Sequence, residues 1–459
     1  MNRYPNVCHV AAPPTVSGGT PSACPDHQNG RLSAQSSRDR RWRRHVTDVR
    51  VTVHRATDQI GGNCIEIATD AGGRIVLDVG RPLDAPSDAK GLLPKTLDLT
   101  APMHGVLISH PHQDHYGLLE ETPAEWPVFC GEATAKLIQL TTGIFGSPIQ
   151  RDFRSWRSGR RSEVGPFAIT PFLTDHSAFD AHMLLIEVGG KRIFYSGDFR
   201  MHGRKSKLVE RLMAKPPSNI DVLLMEGTNL GSDKPTMTES DLEADFEALF
   251  RETKGRVFVA WSAQNIDRTV TLYRAALKAG RVLVVDLYTA EVLEKLAAYG
   301  KLPQPGWPAL KVVVTRAFSR MYRRKGEEAF VERMVPHGMS AKKLAATPEK
   351  WVIMVRPSLI RDYEPAGVTP TEGDAWSWSM WRGYLKNDDG ARLQEWFERG
   401  GARAAHIHTS GHASPSDLRL FAESIAPRWM VPIHGIAWDR ETEGFPPIRR
   451  LSDGEPLVV

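Results

Sequence analysis

Ser109-His110-Pro111-His112-Gln113-Asp114-His115-Tyr116-Gly117 closes a short apolar run, Val106-Leu107-Ile108. Three imidazoles and one carboxylate fall within six residues there. In an extended loop, alternate residues share a face, so His110 and His112 point the same way and can chelate one metal. Asp114 and His115, one turn on, can face a second ion. Imidazole with carboxylate suits zinc or, less tightly, manganese, and a catalytic ion keeps one position open for water. An isolated H-x-H says little. H-x-H-x-D-H at the end of an apolar strand is far more specific.

Outward from this loop, further ligand-type residues occupy equivalent places at strand ends. His176 sits in Thr174-Asp175-His176-Ser177, and Asp198 in Ser196-Gly197-Asp198-Phe199. His434 sits in Pro432-Ile433-His434-Gly435. Each alone reads as a hydrogen-bonded polar residue. Together with the first loop they supply five His and two Asp, a stock suited to two ions bridged by one carboxylate. Asp78 also ends a strand, where a carboxylate can orient a metal-bound imidazole from behind.

The surrounding text fits a packed sheet with its chemistry on loops. Residues 65–69 and 74–78, around Asp70-Ala71-Gly72-Gly73, read as a β-hairpin. Residues 183–188 and 191–196, around Gly189-Gly190, read as a second with a two-residue turn. Near 236 the pattern changes. Thr238 is placed to cap a helix carrying Leu242, Phe246, Leu249 and Phe250 on one face. A strand (256–261), helix (265–279), strand (281–287) and helix (289–299) follow, an alternation that predicts a parallel α/β unit. Residues 301–385 are Pro-rich, and Arg316, Arg320, Arg323, Arg324 and Lys325 read as a solvated helix face. Strand text returns at 404–409. Ser414, Pro415 and Asp417 then mark a helix start, and a strand at 429–433 ends at His434. One domain is thus expected to be interrupted by another.

Composition sets the outer limits. At 459 residues with 41% hydrophobic and 25% charged residues, the chain is an ordinary globular sequence, and no apolar run approaches a membrane span. The net charge of +5 lies wholly in residues 1–50, which hold eight Arg and three acidic groups. The rest is balanced, so the folded body is not a uniformly basic particle. Residues 1–47 read as a disordered basic tail without a secretory signal. The four cysteines form no C-x-x-C pair and no disulfide framework, which fits a cytoplasmic protein.

Taken in order, Asp78, His110-x-His112-x-Asp114-His115, His176 and Asp198 resemble the signature of the metallo-β-lactamase hydrolase fold. Three more pieces narrow the resemblance to the β-CASP nucleases. Glu226 in Leu224-Met225-Glu226-Gly227-Thr228-Asn229 resembles motif A, His412 in Ser410-Gly411-His412-Ala413-Ser414 resembles motif B, and His434 resembles motif C. The spacing from His412 to His434 is similar to that of ribonuclease J-like RNA-processing enzymes.

This resemblance implies an α/β protein: an αββα metallo-β-lactamase sandwich over 48–235 and 387–459, with an inserted β-CASP domain over 236–386. It implies two Zn2+, or Mn2+, with His110, His112 and His176 at one ion and Asp114, His115 and His434 at the other. Asp198 bridges them, and an activated hydroxide attacks a phosphodiester in line. Asp78, Asp114, Glu226 and His412 form the implied catalytic set, His412 beside Glu226 helping the leaving oxygen depart. Ser262, Asn265 and Arg268, at a helix start, and Ser377 are the implied substrate contacts, although an ordinary helix cap explains the first three equally well. Trp376, Trp378 and Trp381 read as packing residues rather than base-stacking ones. Single-stranded RNA is the expected partner, since His at motif C is the form of the RNA-processing members. A DNA nuclease and a non-catalytic RNA-binding protein stay open. A homodimer and no membrane association complete the expectation.

Overall fold

The computed structural model describes residues 48–459 except Ser87, so the expected tail over 1–47 lies outside the described residues. Alternation along the strands decides how two sheets pair. Val49, Val51 and Val53 point into a shared core, as do Ile65 and Ile67 on the next strand. From the second sheet, Leu184, Ile186 and Val188 meet them, while Met183 and Leu185 point the other way into a separate cluster. The first sheet has seven strands, ordered Pro456–Val458, Val49–Arg55, Cys64–Thr69, Arg74–Leu77, Gly105–Leu107, Val128–Gly131, Phe153–Trp156. The second has six, ordered Trp429–Pro432, Val222–Met225, Lys191–Tyr195, His182–Val188, Phe167–Leu173, Ser162–Val164. Helices Ser206–Ala214 and Pro415–Ile425 cover the outer face of the second sheet through Val209, Leu418 and Phe421. Helix Glu132–Phe145 covers the first through Ala135 and Ile138. The result is the expected αββα sandwich.

Both expected hairpins are present: Cys64–Thr69 with Arg74–Leu77, and His182–Val188 with Lys191–Tyr195. Gly189 and Gly190 take the positive φ that the second turn requires.

A third sheet of seven parallel strands runs Gly338–Met339, Leu310–Val313, Val282–Asp286, Trp351–Met354, Val257–Ala260, Ala375–Trp378, Arg403–Ala404. Its core has its own apolar cluster, and the outer side of helix Glu132–Phe145 joins it through Ala133, Leu137, Leu140 and Ile144. That one helix therefore glues the inserted module to the sandwich, with a separate apolar stripe for each. Phe318 and Tyr322 anchor helix Arg316–Arg324, while Arg316, Arg320, Arg323 and Arg324 face solvent as read from the sequence.

Two expectations are corrected. The module does not end at 386: helix Asp388–Arg399 buries Leu393, Trp396 and Phe397 in its core, and Arg403–Ala404 is its edge strand. The strand expected at 404–409 stops after Ala404, because side chains take over from the ladder. Ser377 Oγ accepts from Ile407 N (3.1 Å), and His406 Nδ1 accepts from Trp378 N (3.2 Å). Among the described residues, no helix is long and apolar enough to cross a membrane.

Candidate metal centre

Strand ends bring the ligand-type residues together. Asp78 follows strand Arg74–Leu77 in a left-handed conformation (φ 57°) that Asp tolerates better than most residues. Its carboxylate accepts from Ser109 N (2.7 Å), Ser109 Oγ (2.8 Å), His115 Nδ1 (2.7 Å) and Tyr195 Oη (2.6 Å). Gly80 makes this crossing possible, since a Cβ there would lie 1.7 Å from the Asp114 carbonyl oxygen.

The second-layer contacts set the tautomers. His115 gives Nδ1–H to Asp78, His176 gives Nδ1–H to Gly411 O (2.6 Å), and His434 gives Nδ1–H to Asn63 Oδ1 (2.8 Å). His110 Nδ1 lies 3.0 Å from Ser109 Oγ, whose own proton goes to Asp78. Each ring thus turns an Nε2 lone pair inward.

Two sets of donors converge. His110, His112 and His176 form the first: His112 Nδ1 lies 3.2 Å from both His110 Nε2 and His176 Nε2. Asp114, His115, Asp198 and His434 form the second. Asp198 Oδ2 joins them, 3.0 Å from His115 Nε2 and 3.7 Å from both His110 Nε2 and His434 Nε2. His115 Nε2, His434 Nε2 and Asp198 Oδ1 are buried without a hydrogen-bond partner among the described residues. Buried lone pairs aimed at one another, and unsatisfied, are costly unless a cation completes them. The donor set therefore fits divalent metal ions.

Burial holds His110 and His176 far below the ordinary imidazole range and His112 at about 4, in the neutral form that a metal requires. At His115 burial is outweighed by Asp198, Asp114 and Asp78, which push it well up. That corner attracts positive charge.

Beside Asp198 stands a third group, Asp198 with Glu226 and His412. Glu226 is buried and accepts from Phe199 N (2.9 Å), Thr228 Oγ1 (2.7 Å) and His412 Nδ1 (2.9 Å). Burial opposes charge on His412, but Glu226 and Asp198 overcome it and raise the ring to about 9.

The substrate-contact expectations fare differently. Ser262 is exposed at the carboxyl end of strand Val257–Ala260. Asn265 is instead the helix cap, accepting from Arg268 N (3.0 Å). Arg268 is fully buried, bonded to Glu239 and Ser379, and so is closed to substrate. Ser377 is likewise buried with its hydroxyl engaged by Ile407. Trp376 packs flat on Phe397 at 4.6 Å and Trp378 is buried, as packing residues should be, whereas Trp381 is 62% exposed. Sequence reading missed Asn63, Tyr195 and Asn229. The last of these gives its amide to His412 O (2.9 Å) and Ala413 O (3.0 Å). Asn63 directly precedes strand Cys64–Thr69 and Tyr195 ends strand Lys191–Tyr195, so position at a strand end is the available signal for both.

A β-lactamase superfamily domain model matches residues 74–261. Together with the sandwich and the donor sets, it defines the fold of the chain as a metallo-β-lactamase fold interrupted by an inserted α/β module. Among characterised relatives it is similar to ribonuclease J of Helicobacter pylori strain B128, 24% identical over 444 residues, covering 90% of this chain and 60% of that one. It is also similar to ribonuclease J of Mycobacterium tuberculosis strain H37Rv, 26% identical over 353 residues, covering 72% and 58%. The chain thus spans about three-fifths of the length of these relatives. A crystal structure of a protein of unknown function from Enterococcus faecalis V583 shares the fold, with TM-score 0.71, 19% identity, and coverage of 90% of this chain and 100% of that one.

Proposed function

We propose that the chain is a metal-dependent ribonuclease that hydrolyses phosphodiester bonds of single-stranded RNA. The observation that carries this reading is Asp198 Oδ2, within 4 Å of imidazole nitrogens from both donor sets and of His412 Nδ1. His110, His112 and His176 would hold one Zn2+, and Asp114, His115 and His434 the other, with Asp198 between; Mn2+ suits the same donors less tightly. Such ions, when bound, lower the pKa of water and offset the charge of a phosphodiester.

The chain's own residues supply the rest. Asp78 keeps His115 in one tautomer, and Gly411 O does so for His176. Glu226 accepts a hydrogen bond from His412 Nδ1–H and fixes the ring, so that Nε2–H can give a proton to the leaving oxygen. Ser262, exposed at a strand end of the inserted module, is the candidate for phosphate contact. The similarity to ribonuclease J supports RNA as substrate, and a cytoplasmic homodimer belongs to the same reading; sedimentation of purified chain reads the dimer.

The test incubates purified chain with Zn2+ or Mn2+ and RNA labelled at either end, beside single-stranded DNA of the same sequence. Asp114→Ala and His115→Ala serve as controls. RNA cleavage lost in the controls is expected. Equal cleavage by the controls, or none by the parent, defeats the reading; preference for DNA turns it to the alternative substrate.

A further inference from the structure

Arg200 lies two residues beyond Asp198, has no exposed surface, and belongs to no donor set. Its guanidinium gathers groups from both parts of the molecule. Nε meets Asp175 Oδ1 at 3.2 Å, Nη1 meets Glu239 Oε1 at 3.4 Å and Ser410 O at 3.3 Å, and Nη2 meets Asp267 Oδ2 at 2.6 Å. Its backbone N donates to Asp175 O at 2.7 Å.

Each contact has a distinct consequence. Asp175 directly precedes His176. Ser410 precedes Gly411, whose carbonyl accepts a hydrogen bond from His176 Nδ1–H. His202 Nε2 holds the same Ser410 carbonyl from a second side, at 2.9 Å. Arg200 therefore fixes both the backbone that carries His176 and the loop that turns its ring. Glu239 and Asp267 lie in the first turns of helices Glu239–Glu252 and Ile266–Lys278, both on the inserted module. Arg268 secures Glu239 from the module side, at 3.2 Å.

We propose that Arg200 is a positioning residue for the His110–His112–His176 site, and that through it the seating of the inserted module sets the geometry of that site. The proposal rests on the metal reading above. A planar guanidinium reaches four acceptors at once, where an ammonium of equal charge reaches fewer from a single point. The Asp114–His115–His434 ligands make no contact with this network, and Asn63 and Asp78 hold two of them instead. Loss of the fork should therefore act on one ion more than on the other.

The test is titration of the full chain with Co2+ and with Zn2+, independent of RNA cleavage. Arg200→Lys keeps the charge among the three carboxylates. The expected result is one ion bound with parental affinity and the other weakened about ten-fold or more, with an altered Co2+ absorption spectrum and native circular dichroism. Asp267→Asn, on the module and outside both donor sets, should weaken the same ion by a smaller factor. Parental affinity for both ions in both variants overturns the proposal. So does equal weakening of both ions in step with a lowered Tm, which marks a general loss of stability. Should Arg200→Lys not fold, Asp267→Asn decides by the same criteria. A parent chain that binds no ion defeats the metal reading itself, and that result appears before any variant is made.

Discussion

His412 Nδ1 stands 2.9 Å from Glu226 Oε2, and this pair lies against the donor cluster rather than inside it, since His412 Nδ1 is 3.8 Å from Asp198 Oδ2. The carboxylate has no exposed surface, while the imidazole keeps 20% of its side chain in contact with solvent. A buried acid behind a half-open ring orients that ring and favours its protonated form. In the proposed reaction, the pair would deliver a proton into the cleft.

His412→Asn is expected to lower kcat about 10²–10⁴-fold, the usual worth of general acid catalysis, with metal content unchanged. Glu226→Gln should lose less, and the double variant little more than His412→Asn, because the two act as a unit. Steady-state kinetics with metal analysis read this. Metal loss in His412→Asn would instead make that residue a ligand.

Asp198→Ala should reduce both ions together, because its carboxylate reaches both donor sets. Elemental analysis of the purified variant is expected to show well under one ion per chain. Cleavage by the parent should vanish with a chelator and return with added Zn2+ or Mn2+. Retention of one tightly bound ion by Asp198→Ala contradicts the bridging role.

Asp78→Ala removes the acceptor of four hydrogen bonds in a fully buried position. Leaving those donors unpaired should cost about 3–5 kcal/mol, read as a lowered denaturation midpoint. Metal affinity should fall about 10–100-fold as His115 loses its orienting partner. A variant of parental stability and affinity would show that water replaces the carboxylate adequately.

Acid should destabilise the join between module and sandwich. Burial alone would raise Glu239, but Arg268 and Arg200 outweigh it and hold it at about 2, against an ordinary 4.5. A depressed folded-state pKa gives stability that is fully present above about 4.5 and lost as pH falls toward 2. The shift corresponds to about 3 kcal/mol. Denaturant midpoints measured from pH 6 to 2 should fall steeply for the parent. Glu239→Gln should begin lower and show a shallower fall over that window; an unchanged slope removes Glu239 from the acid response.

Local chemistry was legible in the sequence because it is local. His110 and His112 share a face by the period of an extended chain, and Gly189-Gly190 specifies its own turn. The strand ends carrying Asp78, His176, Asp198 and His434 were readable as apolar runs closed by a polar residue. What sequence alone could not decide was which polar side chains look outward. Arg268 and Ser377 read as candidates for substrate, yet Glu239, Ser379 and Ile407, distant in the chain, bury and satisfy them. Pattern alone also puts the return of the chain to the sandwich too early, since Leu393, Trp396 and Phe397 are an apolar stripe that either core accepts, and packing assigns it to the module. Helix Glu132–Phe145 carries two stripes, and only packing assigns one to each domain. Residue type and period determined the candidate donors and the strands; burial and long-range pairing, which depend on every element at once, decided which charges line the candidate site and which hold the fold around it.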